Sequence, residues 1–231
     1  MAPRSDPSWL AVHTLIPEPN DSRQHRAALL RSDFTVFFRE SVRSLTVTAS
    51  LVPSSRVLAS ALLRAVDFRS AGTIVELGAG TGVITSEILR RMQPRATLYA
   101  IDINPIFISH VGARLRDPRL VLMQGDVRDL GAMLRGAGVA SADAVVSSLS
   151  LMWMHKNDRS SIMKQVALHL SSEGVLTQYQ YLHACRTPKW ASALGLPGFR
   201  GEEFLRRYFS RVCSENVFRN FPPAAVYTCR P

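Results

Sequence analysis

Residues 74–92 read IVELGAGTGVITSEILRRM, an apolar run that reaches Glu76 and then sets Gly78, Gly80 and Gly82 at alternate positions. Glycines so placed let a backbone turn approach a ligand closely between a strand and a helix. Three ligand chemistries use such a turn. A phosphate-gripping loop needs GxxxxGK followed by Ser or Thr, and no lysine occurs in this stretch. A dinucleotide loop has its third glycine where this chain has Val83. The third chemistry joins the glycines to acids. Asp102 and Asp126 each stand just past a further apolar run, where a carboxylate accepts hydrogen bonds from hydroxyl or amino donors.

These residues need a scaffold, and the chain supplies an alternating pattern. Strands are expected at Thr73–Leu77, Thr97–Ile101, Arg119–Met123, Ala144–Leu149 and Val175–Tyr181. Helices are expected at Val83–Met92, from Pro105 to about Leu115, and at Asp158–Leu170. Residues 186–205 read as irregular, and runs near 208–218 and 224–229 as an antiparallel hairpin. The alternation predicts an α/β fold of Rossmann-like type, a mostly parallel sheet covered by helices on both faces. Ligands in such sheets sit at the carboxyl ends of the strands, where the glycines fall.

Before this core, Ser54 or Ser55 is placed to cap a helix with an apolar face of Val57, Leu58, Ala61, Leu62 and Ala65. Leu30, Phe34, Phe37, Phe38, Val42 and Leu45 mark one face of an earlier helix, at about 26–45, with Arg26, Arg31, Arg39 and Arg43 around it. Residues 1–22 are proline-punctuated and expected to be poorly ordered; 23–231 form one domain.

The chain has 231 residues, 46% hydrophobic, with a formal net charge of +10. That balance favours an anionic partner, a nucleic acid or a membrane surface. Cys185, Cys213 and Cys229 are odd in number and make no metal-binding spacing, so they are read as reduced thiols in a cytoplasmic protein that holds no metal. No apolar run reaches the length of a bilayer span.

E-x-G-x-G-x-G after a first strand resembles motif I of the class I S-adenosylmethionine-dependent methyltransferases. The resemblance implies S-adenosylmethionine as cofactor and S-adenosylhomocysteine as product. It implies that Asp102 bridges the ribose hydroxyls, with Ile103 beside it, and that Asp126 accepts from the adenine amino group, with Val127 as its neighbour. Ser54, Ser55, Glu76, Gly78, Gly80, Thr81, Gly82 and Ser147 complete the expected cofactor site. Within the class, FFRESVRSLTVTASLVPSSRVLASALL (37–63), DAVVSSLSLMWM (143–154) and VFRNFPPAAVYTCRP (217–231) resemble bacterial phospholipid N-methyltransferases. The similarity spans roughly 34–231. It departs at motif IV, where Ser148 and Ser150 replace the family's glycine and proline.

That resemblance implies methylation of phosphatidylethanolamine towards phosphatidylcholine by a monomer lying on the inner face of the membrane. Arg31, Phe34, Phe37, Phe38, Arg39 and Arg43 would meet anionic headgroups, or the phenylalanines would pack on the sheet. An amine must lose its proton before attack, and burial favours the neutral form. Ser147, Tyr179 and Tyr181 are the candidate catalytic residues: the tyrosines orient the amine and Ser147 accepts its hydrogen bond. Trp153, Tyr179 and Tyr181 can hold a methylated ammonium by cation–π attraction, although alternation along the strand equally allows the tyrosines an ordinary packing role. His155 and Lys156 read as a solvated loop. Three other functions compete. An rRNA adenine N-methyltransferase has an Asn-Leu/Ile-Pro-Tyr/Phe tetrad where this chain has Ser147-Ser148-Leu149-Ser150. The others are a small-amine methyltransferase and a non-catalytic cofactor- or membrane-binding module. No nucleic acid is required by the leading reading.

Overall fold

The computed structural model describes residues 53–182 and 199–231, with side chains from Arg56 onward. The segment 1–22, the helix at about 26–45 with its six membrane-facing candidates, and Cys185 lie outside the described residues.

The chain begins with α1 (Pro53–Leu62) and β1 (Thr73–Leu77), then α2 (Val83–Arg91), β2 (Thr97–Asp102), α3 (Pro105–Arg114) and β3 (Leu120–Gln124). Next come a 3-10 turn at Val127–Asp129, α4 (Leu130–Gly136), β4 (Ala142–Ser147) and a second 3-10 turn at Leu151–Trp153. The chain continues through α5 (Lys156–His169), β5 (Leu170–Tyr181), α6 (Gly201–Leu205), β6 (Arg211–Val217) and β7 (Ala224–Arg230). One seven-stranded sheet has the order β3-β2-β1-β4-β5-β7-β6. β1 to β5 are mutually parallel, and β7 runs antiparallel to both β5 and β6. The order reverses between β1 and β4, the switch point at which a crevice opens in such sheets.

Alternation along each strand divides the core between two faces. Ile74, Leu98, Ala144, Val146, Val175 and Val226 pack with Leu58, Leu62 and Ile88 of α1 and α2. Val75, Leu77, Ile101, Val145 and Leu176 pack with Ile162, Met163 and Val166 of α5, and with Phe199, Phe204 and Phe209. Two buttresses fix the amino ends of the strands. Asp143 accepts 2.9 Å bonds from the Gly72 and Thr73 amides, tying β4 to β1. Arg119 donates to Leu89 O at 2.8 Å and Met92 O at 3.0 Å, closing the end of α2.

Some boundaries differ from expectation. β5 starts at Leu170 because Leu170 pairs with Ala142 before a register shift restores pairing at Val175. Gly201–Leu205 is helical rather than irregular, and α4 was unexpected. Ser54 and Ser55 fall inside the first turn of α1 rather than before it, because the helix starts at Pro53, whose fixed φ suits that place.

Candidate active site

The turn after β1 is held against β2. The amides of Gly78 and Ala79 donate to Ile101 O at 2.8 and 3.1 Å. Asp102, at the end of β2, accepts from the Gly80 amide at 2.8 Å on Oδ2 and from the Asn104 amide at 2.8 Å on Oδ1. Burial raises its pKa, opposed by those two amides. Gly78, Gly80 and Gly82 have φ of 84°, 52° and 80°, the left-handed region that favours glycine. A Cβ built on Gly80 would meet nothing within 4 Å, so the turn leaves open space above it. Thr81 is half-buried in this turn, and Ile103 is exposed beside Asp102.

Glu76 bonds to the helix after the glycine turn, at Thr85, and so braces the turn from behind. Its side chain is fully buried; Oε2 accepts from Thr85 Oγ1 of α2 at 2.7 Å, and Oε1 has no partner among the described residues. Burial raises its pKa to about 8. Asp126 caps the 3-10 turn by accepting from the Arg128 amide at 2.9 Å, and its other oxygen takes the Arg128 guanidinium at 2.9 and 2.6 Å. Val127, the apolar neighbour of Asp126, is buried in the core.

The segment after β4 leans on the glycine turn. The Ser148 amide donates to Leu77 O at 2.9 Å, and a Cβ on Gly78 would lie 3.6 Å from Ser148 Cβ. Ser147 is fully buried, and its hydroxyl takes the Leu149 amide at 3.4 Å. Gln178, its register neighbour on β5, donates through Nε2 to Leu149 O at 2.8 Å and Tyr179 O at 2.6 Å. Tyr179 and Tyr181 pack edge to face with centroids 5.5 Å apart, on the α1 side of the sheet. Ser147, Gln178 and Gln180 alternate onto the α5 side. The three candidate catalytic residues therefore reach the same end of the sheet from two faces. Burial, then Tyr181, raises the Tyr179 pKa above the ordinary tyrosine value. Trp153, His155 and Lys156 are exposed.

Unpartnered buried polar atoms concentrate at this end. They are Glu76 Oε1, Ser148 Oγ, Thr177 Oγ1, Gln178 Oε1, Gln180 Nε2 and Arg159 Nε, each without a partner among the described residues. The Arg159 guanidinium stacks over Phe199 at 4.5 Å and Phe204 at 5.4 Å. Sequence reasoning missed Thr85, Arg159 and a polar role for Gln178 and Gln180. The signal for the glutamines was two amides alternating within an otherwise apolar strand.

A glycine turn open above Gly80, a carboxylate at the end of β2 and this strand order define a class I S-adenosylmethionine-dependent methyltransferase fold. A family model described as a methyltransferase domain matches residues 74–174. The chain is 31% identical to the ornithine lipid N-methyltransferase of Singulisphaera acidiphila, over 86% of this chain and 96% of that protein. Among solved structures, it superposes on the 1,6-didemethyltoxoflavin-N1-methyltransferase of Burkholderia thailandensis, solved with S-adenosylhomocysteine. The TM-score is 0.62 and the identity 21%, over 93% of this chain and 92% of that one. It is also similar to the N-methyltransferase NodS of Bradyrhizobium japonicum WM9, with a TM-score of 0.59 and 16% identity, covering 78% and 89% of the two chains. The chain belongs to the S-adenosylmethionine-dependent methyltransferases, and S-adenosylmethionine is its cofactor. The residues fit that cofactor: the space above Gly80 admits a ligand, and the oxygens of Asp102 have lone pairs left for hydroxyl donors. No described helix is long and apolar enough to cross a membrane.

Proposed function

We propose that this protein is an N-methyltransferase of lipid headgroup amines, working at an anionic membrane surface, with phosphatidylethanolamine as its acceptor. The observation that carries this reading is the likeness to an ornithine lipid N-methyltransferase along almost the whole of that protein. Ornithine lipid and phosphatidylethanolamine share the relevant chemistry, a primary amine on an acyl-bearing molecule.

Bound S-adenosylmethionine supplies an electrophilic methyl on a sulfonium. The glycine turn and Asp102 hold the cofactor at the carboxyl end of β1 and β2. Gln178 Oε1, a buried acceptor without a partner among the described residues, receives an N–H of the acceptor amine. The surrounding Ser147, Gln178, Gln180, Tyr179 and Tyr181 carry no charge, so the amine enters an environment that disfavours its cation and frees its lone pair. Alignment of that lone pair with the methyl is the protein's main contribution to rate. The amphipathic segment at 26–45 brings the enzyme to the bilayer, and the protein is a peripheral monomer on the cytoplasmic side.

The test is methylation of phosphatidylethanolamine and of ornithine lipid, each dispersed in detergent, with S-adenosylmethionine and mass-spectrometric readout. Addition of methyl groups to phosphatidylethanolamine is the expected result. Methylation of ornithine lipid alone overturns phosphatidylethanolamine as the acceptor, and a protein that binds S-adenosylhomocysteine yet methylates neither lipid overturns the whole reading.

A further inference from the structure

The C-terminal stretch VFRNFPPAAVY runs from the end of β6 through a turn into β7. Register pairs Val217 with Ala224 and Tyr181 with Ala224. The turn at 218–223 therefore projects beyond the end of β5, at the same end of the sheet as the glycine turn. In that turn Phe218 is 71% and Phe221 82% exposed. The turn is anchored: Asn220 is buried and its Nδ2 donates to Pro222 O at 2.5 Å, and the Leu182 amide donates to Pro223 O at 2.8 Å. Two large aromatic rings are thus held in water by a fixed backbone. Core packing does not account for them.

Their position follows a pattern. Among the described residues, the exposed large apolar side chains are Val83, Ile103, Ile106, Trp153, Leu168, Phe218 and Phe221. All but Leu168 follow the carboxyl ends of parallel strands β1, β2, β4 and β6. Apolar exposure gathered on one rim marks an interaction surface. Charge selects the partner. The turn holds one cation, exposed Arg219, and no acid, in a chain of net charge +10. The nearest acid on β6, Glu215, is bound by Arg64 at 2.6 Å. Apolar rings flanking an arginine suit the interface of an anionic bilayer, where the rings enter the acyl boundary and the guanidinium meets headgroup phosphates.

We infer that the β6–β7 turn is a second membrane contact, in which Phe218 and Phe221 insert into an anionic bilayer and set the mouth of the active site against the lipid surface. The inference rests on the lipid reading above and adds to it a surface apart from the N-terminal segment. Insertion brings the headgroup to the carboxyl rim without the lipid leaving the bilayer.

The test uses the full chain and vesicles of phosphatidylglycerol and phosphatidylethanolamine. Phe218→Ser with Phe221→Ser is expected to weaken vesicle binding roughly tenfold or more, as lost burial of two partly inserted rings requires. Turnover of detergent-dispersed phosphatidylethanolamine by the double variant is expected to match the original protein. The deciding measurement is Phe221→Trp with brominated acyl chains. Added emission that bromine quenches on vesicle binding supports insertion. Vesicle-bound protein whose added emission is unquenched overturns it, as does failure of the original protein to bind these vesicles. A double variant altered in oligomeric state, with vesicle binding intact, also overturns it and assigns the rim to contact between copies. Absence of turnover in detergent defeats the lipid reading alone, and the quenching still decides the surface.

Discussion

Glu76 on β1 and Thr85 on α2 are joined by a 2.7 Å hydrogen bond, nine positions apart in sequence, and both side chains are fully buried. The bond locks the strand before the glycine turn to the helix after it, so the turn is clamped from behind while its front stays open. Burial lifts the Glu76 pKa from 4.5 to about 8, so the carboxyl is protonated in the folded protein at neutral pH. The unfolded chain releases that proton at lower pH. Stability therefore falls as pH rises from about 4.5 to about 8 and levels beyond, at up to about 1.4 kcal/mol per pH unit. Glu76→Gln removes this slope. Urea midpoints across the window should show the variant gaining on the original protein as pH rises; a constant difference would show an ordinary carboxyl.

Gly80 and Gly82 share positive φ but not surroundings. Alanine in the left-handed region costs about 1–2 kcal/mol at either position. At Gly82 the new Cβ would also lie 3.0 Å from Val111 Cγ2, whereas at Gly80 it meets nothing within 4 Å. Gly82→Ala is expected to lower the melting temperature more. Gly80→Ala is expected to weaken S-adenosylhomocysteine binding more, since its methyl enters the ligand's space. Calorimetric titration beside thermal unfolding checks this; the reverse ranking would move the cofactor away from Gly80.

Gln178 pins the segment after β4 by donating to Leu149 O. Gln178→Ala removes this side-chain donor while the Leu151 amide, 2.9 Å away, still bonds the same carbonyl, so the lost bond costs roughly 0.5–1.5 kcal/mol. It also removes the acceptor assigned to the amine. Steady-state kinetics should show a large fall in kcat with little change in cofactor affinity. An equal loss in both would make Gln178 a structural support of the whole site.

Tyr179 is held above the ordinary tyrosine pKa by burial and by Tyr181. It stays a neutral phenol at neutral pH, so in the proposed mechanism it would orient the amine by hydrogen bonding instead of removing a proton as phenolate. Tyr179→Phe is expected to lower kcat while leaving the shape of the pH–rate profile in the alkaline range unchanged. An alkaline limb that moves in the variant would identify Tyr179 as the titrating group.

The sheet was legible because its strands are short apolar runs punctuated by glycine, proline and acid. Thr73–Leu77 matches its expected bounds, and β2, β3, α2 and α3 match within a residue or so. Asp102 was legible because a carboxylate ending a strand is a local pattern. The Glu76–Thr85 bond was not: Thr85 shares a helix face with Ile88 and Leu89, but no local pattern pairs it with Glu76. The amino end of β5 was missed because pairing resumes after an excursion through Ser171–Gly174 that no periodicity predicts. The α4 helix was missed because it is seven residues long with glycine second and last, too short and too flexible to show a periodic face. Arg159 reads as a surface cation on a polar helix, and only its stacking on two distant phenylalanines shows otherwise.

The strand order also dictates how the chain assembles. β6 and β7 are neighbours in sequence and pair with each other as a ribbon, a step that takes about 1–10 μs in isolated hairpins. β1 must instead find β4, its Ile74 meeting Ala144, and it pays the loop-closure entropy of that long interval first. The parallel half is thus the slow half, and β5 completes it. The ribbon meets the rest of the sheet through β7 alone, so the phenylalanine-tipped turn stands at the rim only where β7 has paired with β5.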